Sequence, residues 1–239
     1  MVSHQDSPPS VIVDTILNAF FRIRGLTLAG RGLSVDTEPP TYNKDGIVAD
    51  MEQFGYVRID ALRARGARGA RDWVVILVLA GNKKCSNNSP DFRKLLDGLD
   101  AERPTKEGRL DEVIVVAEQT FFEKKNLTEV IRDAQHKKQA GGPDLGGKAP
   151  FYNVYPYRNF TFAIPEHESV FPHRIMAADE VELLLSRERI SISDLPVIFS
   201  TDPAIVWNGG RSGQVVEIKR DSPTAGTSFY YRRIAAMPP

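Results

Sequence analysis

Hydrophobic residues near the start of the chain recur at the spacing of an amphipathic helix. The apolar stripe consists of Ile12, Ile16, Phe20 and Ile23. Separations of four, four and three residues place all of them on one helix face. Ser10 precedes the stripe, and Gly25 follows it as a residue that commonly ends helices. The pattern predicts a helix that packs on a sheet.

Two apolar stretches separated by a basic tract predict a hairpin. Tyr56–Asp60 alternates in polarity, whereas Trp73–Ala80 is apolar enough to form a strand buried on both faces. Ala61–Arg71, between them, is rich in Gly, Ala and Arg, and we predict that it forms a long exposed loop. Gly30–Gly46, upstream, is rich in Gly and Pro and is also predicted to be a loop.

The next segments alternate between helix and strand patterns. Asp91–Leu99 predicts a short helix, and Asp111–Ala117 predicts another central strand. Leu127–Gln139 predicts a polar helix, and the glycine-rich Gln139–Pro150 predicts a flexible loop. Phe151–Ile164 is aromatic and predicts an extended segment. The predicted order is helix, strand, strand, helix, strand, helix.

The composition changes after about Pro165, which indicates a domain boundary. Beyond it, Asp179–Arg189 predicts a helix, because Val181, Leu184 and Leu185 lie on one face. Gly213–Arg220 and Thr227–Ile234 predict two strands joined by a turn. We therefore predict three parts, which are a flexible tail at 1–10, a domain at 11–160 and a smaller domain at 161–239.

Composition and charge exclude several classes of protein. With 41% apolar residues, and with 31 basic residues balancing 31 acidic ones, the chain is neither wholly disordered, nor collagenous, nor a polytopic membrane protein. The single cysteine, Cys85, excludes an internal disulfide and a cysteine-rich zinc module. One free thiol is typical of a reducing compartment.

The last third carries ordered motifs that match one family. The motifs are His167-Glu168, His173, Leu195-Pro196-Val197-Ile198, Asp202-Pro203, Gly209, Gly213-Gln214-Val215-Val216, Arg220-Asp221-Ser222-Pro223-Thr224-Ala225-Gly226 and Tyr231-Arg232-Arg233-Ile234. From His167 to Ile234 they resemble the fifth-largest subunit shared by the eukaryotic nuclear RNA polymerases, whose short archaeal counterpart consists of this C-terminal piece alone. The order of elements before them is similar to the jaw domain of the eukaryotic form.

This resemblance implies a fold and a function. It implies an α/β jaw domain with a restriction-endonuclease-like, non-catalytic core, followed by a small α+β assembly domain. The protein would be a non-catalytic subunit of a multisubunit DNA-directed RNA polymerase. Its C-terminal domain would dock on the largest subunit, and its jaw would flank downstream duplex DNA without sequence specificity. Catalytic residues, metal and cofactor would belong to the large subunits. The implied location is the nucleus, or a viral factory or virion for a large-DNA-virus version, and no membrane partner is implied.

Nine motif residues are candidates for the assembly function. They are His173, Pro196, Asp202, Pro203, Arg211, Gly213, Arg220, Gly226 and Arg232. Asp202-Pro203 has turn chemistry, since Asp bonds its own backbone and Pro fixes φ. Gly209, Gly210 and Gly213 permit positive φ and close backbone approach, and Gly226 is expected to have positive φ at the end of the last turn.

One departure from the family concerns a helix start. The family often shows a Ser-x-x-Glu capping box, but the matching stretch here is Ala177-Ala178-Asp179-Glu180. The hydroxyl cap is therefore missing, and we predict that Asp179 caps the helix instead.

Two basic tracts are candidates for contact with DNA phosphates. The candidate residues are Arg63, Arg65, Arg68 and Arg71, together with Lys124 and Lys125. Contacts of this kind are independent of sequence and sensitive to salt.

Two other functions stay open at this point. A metal-dependent nuclease on the jaw fold would need clustered carboxylates around Mg²⁺ and a nearby Lys. The nearest fragments, Pro143-Asp144 and Glu123-Lys124-Lys125, come in the wrong order. The four histidines do not form a recognisable four-ligand metal site. The other alternative is a free regulatory binding module derived from the polymerase subunit.

Overall fold

A computed structural model describes residues 8–29, 44–65, 70–80, 90–99, 109–118, 125–140, 150–222 and 226–236. The chain divides into two units, Met1–Phe162 and Ala163–Pro239. Both units combine helices with a sheet, so the chain is a mixed α and β protein. None of the described helices is both long and apolar enough to span a bilayer.

A five-stranded sheet forms the centre of the first unit. Its strands are β1 (Leu26–Leu28), β2 (Tyr56–Arg65), β3 (Ala70–Leu79), β4 (Leu110–Ala117) and β5 (Phe151–Pro156), in that spatial order. The first three strands are antiparallel, and β3, β4 and β5 are parallel. The strands expected at Trp73–Ala80 and Asp111–Ala117 are thus confirmed as the central pair.

The helices of the first unit cover this sheet. They are α1 (Pro9–Thr15), a π-helical turn (Ile16–Phe20), α2 (Phe21–Arg24), α3 (Lys44–Phe54), α4 (Pro90–Gly98) and α5 (Lys125–Ala140). Phe92 of α4 and Ile131 of α5 pack with Leu77 and Val115 of the central strands. The helix pattern at the start is confirmed, and the helix ends at Gly25, whose φ is 60°.

Two sequence-based expectations fail in this unit. The loop predicted at Gly30–Gly46 is wrong at its end, because helix α3 begins at Lys44. Among the described side chains of α3, Ile47 and Met51 are buried while Val48 and Phe54 stay exposed, so the sequence shows no clear apolar stripe. The aromatic segment Phe151–Ile164 is not extended throughout. It turns into a 3-10 helix at Tyr157–Phe160, where Tyr157 and Phe160 are buried.

The loop between β2 and β3 is also shorter than expected. The β2–β3 hairpin is confirmed, but its ladder runs unbroken from Tyr56 opposite Leu79 to Arg65 opposite Ala70. The prediction of a long loop over Ala61–Arg71 is therefore wrong. The strands continue because Ala61 and Leu62 are buried and the charge of Arg63 is paired within the fold. Residues 66–69, with Arg68, lie outside the described part.

The second unit contains a four-stranded sheet. Its strands are β6 (His173–Ile175), β7 (Val197–Phe199), β8 (Val215–Ser222) and β9 (Gly226–Ala235), in the spatial order β6-β8-β9-β7. Helix α6 (Ala178–Glu188) packs through Leu184 on Val215, and α7 (Pro203–Asn208) packs through Ile205 on Val216. Because adjacent strand residues point to opposite faces, the two helices cover opposite faces of this sheet.

Candidate interaction surfaces

The Asp202-Pro203 motif starts a helix. The Asp202 carboxylate accepts a hydrogen bond from the Ala204 amide at 2.9 Å, and Pro203 occupies the first helical position. Asp is a preferred N-cap, and Pro at this position has a suitable φ and needs no donor. The turn chemistry is confirmed, and it serves to position the buried Ile205 and Trp207.

The motif glycines fall at positions that only glycine fits well. Gly209, Gly213 and Gly226 have φ of 71°, 91° and 70°, which confirms the expected left-handed conformation. Gly210 lies outside that region but makes a close approach. A Cβ atom there would lie 2.6 Å from Ile234 Cδ1 and 2.8 Å from Ile205 Cγ2. Gly209 and Gly210 thus let the chain leave α7 in close contact with the sheet.

An ion-paired arginine joins the edge strand to α6. Arg174 of β6 lies 2.7 Å from the Glu180 carboxylate and 3.0 Å from that of Glu217. Glu180 also accepts a hydrogen bond from the Ala177 amide at 2.8 Å. The Arg174 hydrogen bond, with a smaller effect from this amide, holds the pKa of Glu180 below its ordinary value. The predicted Asp179 cap is therefore wrong, because Glu180, one residue further along, reaches back to the helix start.

Sequence reasoning missed Arg174. The signal was available, since opposite charges at directly paired strand positions, here Arg174 and Glu217, stabilise a sheet. Using that signal requires the register of β6 against β8, which the short β6 strand does not reveal.

The remaining assembly candidates are spread along the sheet. His173 Nδ1 lies 2.6 Å from the Phe171 carbonyl oxygen, and the Arg220 guanidinium lies 5.0 Å from the Phe171 ring centroid. The Pro196 carbonyl accepts the Arg233 amide at 2.9 Å. The Arg211 amide donates to Gln214 Oε1 at 2.7 Å, and Arg232 is exposed on β9.

The second unit exposes many large apolar side chains. In the described part of this unit they are Phe171, Leu183, Ile190, Ile192, Val197, Phe199, Phe229 and Tyr230. In the described part of the larger first unit they are Val11, Val48, Phe54 and Phe162. Single exposed apolar residues are ordinary, but a concentration on a small unit indicates an interaction surface.

In the first unit, Arg63 belongs to a buried ion cluster. Its Nη2 atom lies 2.7 Å from Glu112 Oε2, which also pairs with Arg24. Asn153 donates to the other Glu112 oxygen at 3.1 Å. The side chains of Arg24 and Glu112 are only 3% and 4% exposed. Sequence reasoning missed this cluster, because its charged members are separated by up to 88 residues.

The other candidates for contact with DNA phosphates fall in β2, β3 and α5 or outside the described residues. Arg71 is exposed on β3, opposite Ala64. Arg65 and Lys125 are described only as backbone, in β2 and α5, and Arg68 and Lys124 lie outside the described residues. The structure brings Arg65 and Arg71 to the same end of the hairpin.

The acidic fragments considered for a metal-dependent nuclease were Pro143-Asp144 and Glu123-Lys124-Lys125. Pro143-Asp144 and Glu123-Lys124 lie outside the described residues. Within the residues that the structure does describe, no group of three or more His, Cys, Asp or Glu side chains is arranged to hold a metal ion.

Three groups of known proteins are similar to this chain. Residues 162–234 match the family model described as RNA polymerase Rpb5, C-terminal domain. The African swine fever virus (isolate Pig/Kenya/KEN-50/1950) protein named DNA-directed RNA polymerase RPB5 homolog is 30% identical over 161 residues, which are 67% of this chain and 72% of the relative. DNA-directed RNA polymerase subunit Rpo5 of Thermococcus onnurineus (strain NA1) is 52% identical over 73 residues, which are 30% of this chain and 89% of the relative.

The extent of these matches differs between the units. The archaeal match has the length of the second unit, whereas a match of 161 residues must also include much of the first. Similarity to the viral relative therefore includes at least half of the first unit.

Proposed function

Because this chain belongs to the RPB5 and Rpo5 family of DNA-directed RNA polymerase subunits, it is a non-catalytic subunit of such a polymerase, and we propose how its units act. The second unit docks on the largest polymerase subunit. The first unit acts as a jaw that flanks incoming downstream DNA. Catalysis lies in the large subunits, and this chain requires no cofactor for its role.

The concentration of exposed apolar side chains on the second unit carries the docking proposal. Val197, Phe199 and Phe229 lie on the same face of the sheet, because Val197 is paired with Arg233 and odd-numbered residues of β9 share that face. Their exposed fractions are 37%, 41% and 50%. A partner that removes this apolar surface from water gains about 25 cal/mol per Å².

The assembly candidates divide into two roles in this proposal. Pro196, Asp202, Pro203, Gly213 and Gly226 set the shape of the docking unit through its turns. His173, Arg211, Arg220 and Arg232 supply polar groups at its surface. We place the assembly domain at 161–239 and the jaw at 11–160. Of the tail expected at 1–10, Pro9 and Ser10 already belong to α1.

For the jaw, we propose non-specific contact with DNA phosphates through the turn end of the β2–β3 hairpin and the start of α5. The residues are Arg65, Arg68, Arg71, Lys124 and Lys125. Arg63 is left out of this set, because its guanidinium is bound by Glu112 and Asp111. A restriction-endonuclease-like core without catalytic function, and a location in the nucleus or in a viral factory or virion, complete the proposal.

Co-purification tests the docking proposal. The tagged full chain is expressed with the polymerase subunits of its source, and recovery of the largest subunit is measured. Phe199→Asp is expected to reduce recovery at least fivefold, since it puts a charge on the apolar face. The matched control is Val48→Asp, which changes an exposed apolar residue of the first unit and is expected to leave recovery unchanged. Equal recovery with both variants would contradict the proposal.

A further inference from the structure

We propose that the outer edge of β9, at Thr227–Tyr231, binds an extended acidic segment of the largest polymerase subunit as an added strand. This inference rests on the proposed docking function and specifies its geometry. Main-chain hydrogen bonds to a sheet edge are a known way for a protein to bind an extended segment.

Strand β9 is paired along one edge and only partly paired along the other. On its inner edge β8 runs opposite it from Val215–Arg233 to Ser222–Gly226. On its outer edge β7 pairs only with Arg233, Ile234 and Ala235. Within the described residues, the outer edge at Thr227–Tyr231 therefore has no neighbouring strand.

The direction of each backbone group follows from the ladder. The Ile234 amide donates inward to the Gln214 carbonyl, and the Arg233 amide donates outward to the Pro196 carbonyl. Because directions alternate along an antiparallel strand, the amides of Thr227, Phe229 and Tyr231 point outward, and that of Tyr230 points inward. The edge presents three donors and three acceptors at strand spacing.

The course of the chain at Pro196 explains why this edge stays open. Leu195 is buried in the cluster under α6, so the chain before β7 turns away from the sheet edge. Pro196 itself has no amide hydrogen and contributes only its carbonyl to the pairing with Arg233. The chain at Leu195-Pro196 therefore begins to pair with β9 only at Arg233, and the earlier residues of β9 have no strand beside them on this edge.

The open edge lacks the usual protection against pairing. Exposed edges are commonly shielded by charged residues, proline or bulges. Residues 226–231 read Gly-Thr-Ser-Phe-Tyr-Tyr, with no charge and no proline, and the ladder to β8 has no bulge there. Phe229 and Tyr230 are 50% and 48% exposed on opposite faces. Apolar side chains of an added strand would cover both.

The positive charges at the end of this edge favour an acidic partner segment over a second copy of this chain. Arg232 and Arg233 end the open edge, and in the described part of the chain neither forms a salt bridge. The Arg232 side chain is exposed, so a carboxylate of a partner can reach it. The β9 strand of a second copy contains no acidic residue between Gly226 and Ala235. An extended segment with a carboxylate at this end fits the edge better.

Amide hydrogen exchange at residue resolution tests the added strand directly. The full chain is measured alone and after assembly with the largest subunit. The amides of Phe229 and Tyr231 are expected to exchange at least tenfold more slowly in the assembly. The Tyr230 amide is the internal control, since its inward bond to β8 is present in both states.

A pair of substitutions at one position adds a second test. Phe229→Pro removes an outward donor without removing an inward ladder bond, and edge strands tolerate such a proline. Phe229→Thr removes the aromatic ring but keeps the donor. We expect Phe229→Pro to weaken binding of the largest subunit at least tenfold, and more than Phe229→Thr does. Circular dichroism and Tyr230 exchange confirm that both variants fold.

The outcomes separate this inference from the proposed function. If the chain assembles but Phe229 and Tyr231 remain unprotected, strand addition is wrong and docking stands. If the two substitutions weaken binding equally, the side chain and not the edge backbone binds. Protection in the free chain that rises with its concentration would identify a second copy as the occupant. Failure to assemble would overturn the docking proposal, and this inference with it.

Discussion

The two units of this protein differ in how much of their apolar surface they bury. The first buries Trp73–Leu79 and Val113–Ala117 of its central strands, and it even encloses charged groups, Arg24 and Glu112, that are paired with each other. The second has two small apolar clusters on opposite faces of a thin sheet and leaves large apolar side chains exposed. A small domain buries a limited share of its surface, so binding to a larger partner adds to its stability.

Because the two units differ in burial, we expect substitutions in them to have different effects. Changes inside the first unit should act on its own folding, whereas changes on the surface of the second should act on assembly. The archaeal relative is 52% identical over 73 residues, and the viral relative is 30% identical over 161 residues.

The largest expected effect breaks the buried ion cluster of the first unit. Glu112→Ala leaves Arg24 buried without its carboxylate, and removing one member of a buried pair is expected to lower the free energy of unfolding by about 3–5 kcal/mol. Urea denaturation measures the change. Glu129→Ala, at an exposed position on α5, is the control and should stay within about 0.5 kcal/mol. A loss below about 1 kcal/mol for Glu112→Ala would contradict the importance of the cluster.

A smaller effect is expected at the last turn of the second unit. Gly226→Val places a β-branched residue at a φ of 70°, and the strain should destabilise by about 1–3 kcal/mol. Gly98→Ala is the control, because its φ is ordinary and no atom lies within 4 Å of the added Cβ. Thermal denaturation of both variants checks the difference. Equal stability would remove the argument that this turn requires glycine.

The pH dependence of the second unit sharpens the contrast further. The pKa of Glu180 is lowered by Arg174 and by the Ala177 amide from an ordinary value of 4.5. A lowered folded-state pKa means that the stabilisation is present above 4.5 and is lost as the pH falls through the folded value. Glu180→Gln should therefore flatten the acid limb of the stability curve. Chemical denaturation across the acid range, from about pH 2 to about pH 6, measures it. An unchanged limb would exclude this carboxyl as its source.

The smallest effect is expected at the turn end of the β2–β3 hairpin, for which we propose contact with DNA phosphates. In an assembled polymerase, Arg71→Glu should shorten the lifetime of elongation complexes and reduce the salt dependence of that lifetime by about one phosphate contact. The rate of single-nucleotide addition should not change. Arg189→Glu, at an exposed position of the second unit, is the control. An altered addition rate with normal DNA retention would contradict the proposed role of Arg71.

Local patterns predicted much of the framework, and long-range contacts did not follow from them. The helix before Gly25, the central strands and the left-handed glycines were predictable, because periodicity and glycine placement act within a few residues. The length of the β2–β3 hairpin and helix α3 were not. Arg63 reads as a loop residue until Glu112 is placed beside it, and α3 buries too few residues to produce a clear apolar stripe.

The sequence by itself determined the family, the turns and most of the strands of this protein. Those features depend on residues that are close in the chain, such as Asp202 with Ala204 or the glycine at each turn. Only the tertiary structure decided which charges pair, which basic residues remain exposed and which sheet edge is open. Those properties depend on strand register and on contacts between distant segments, and register is fixed by the packing of the whole sheet.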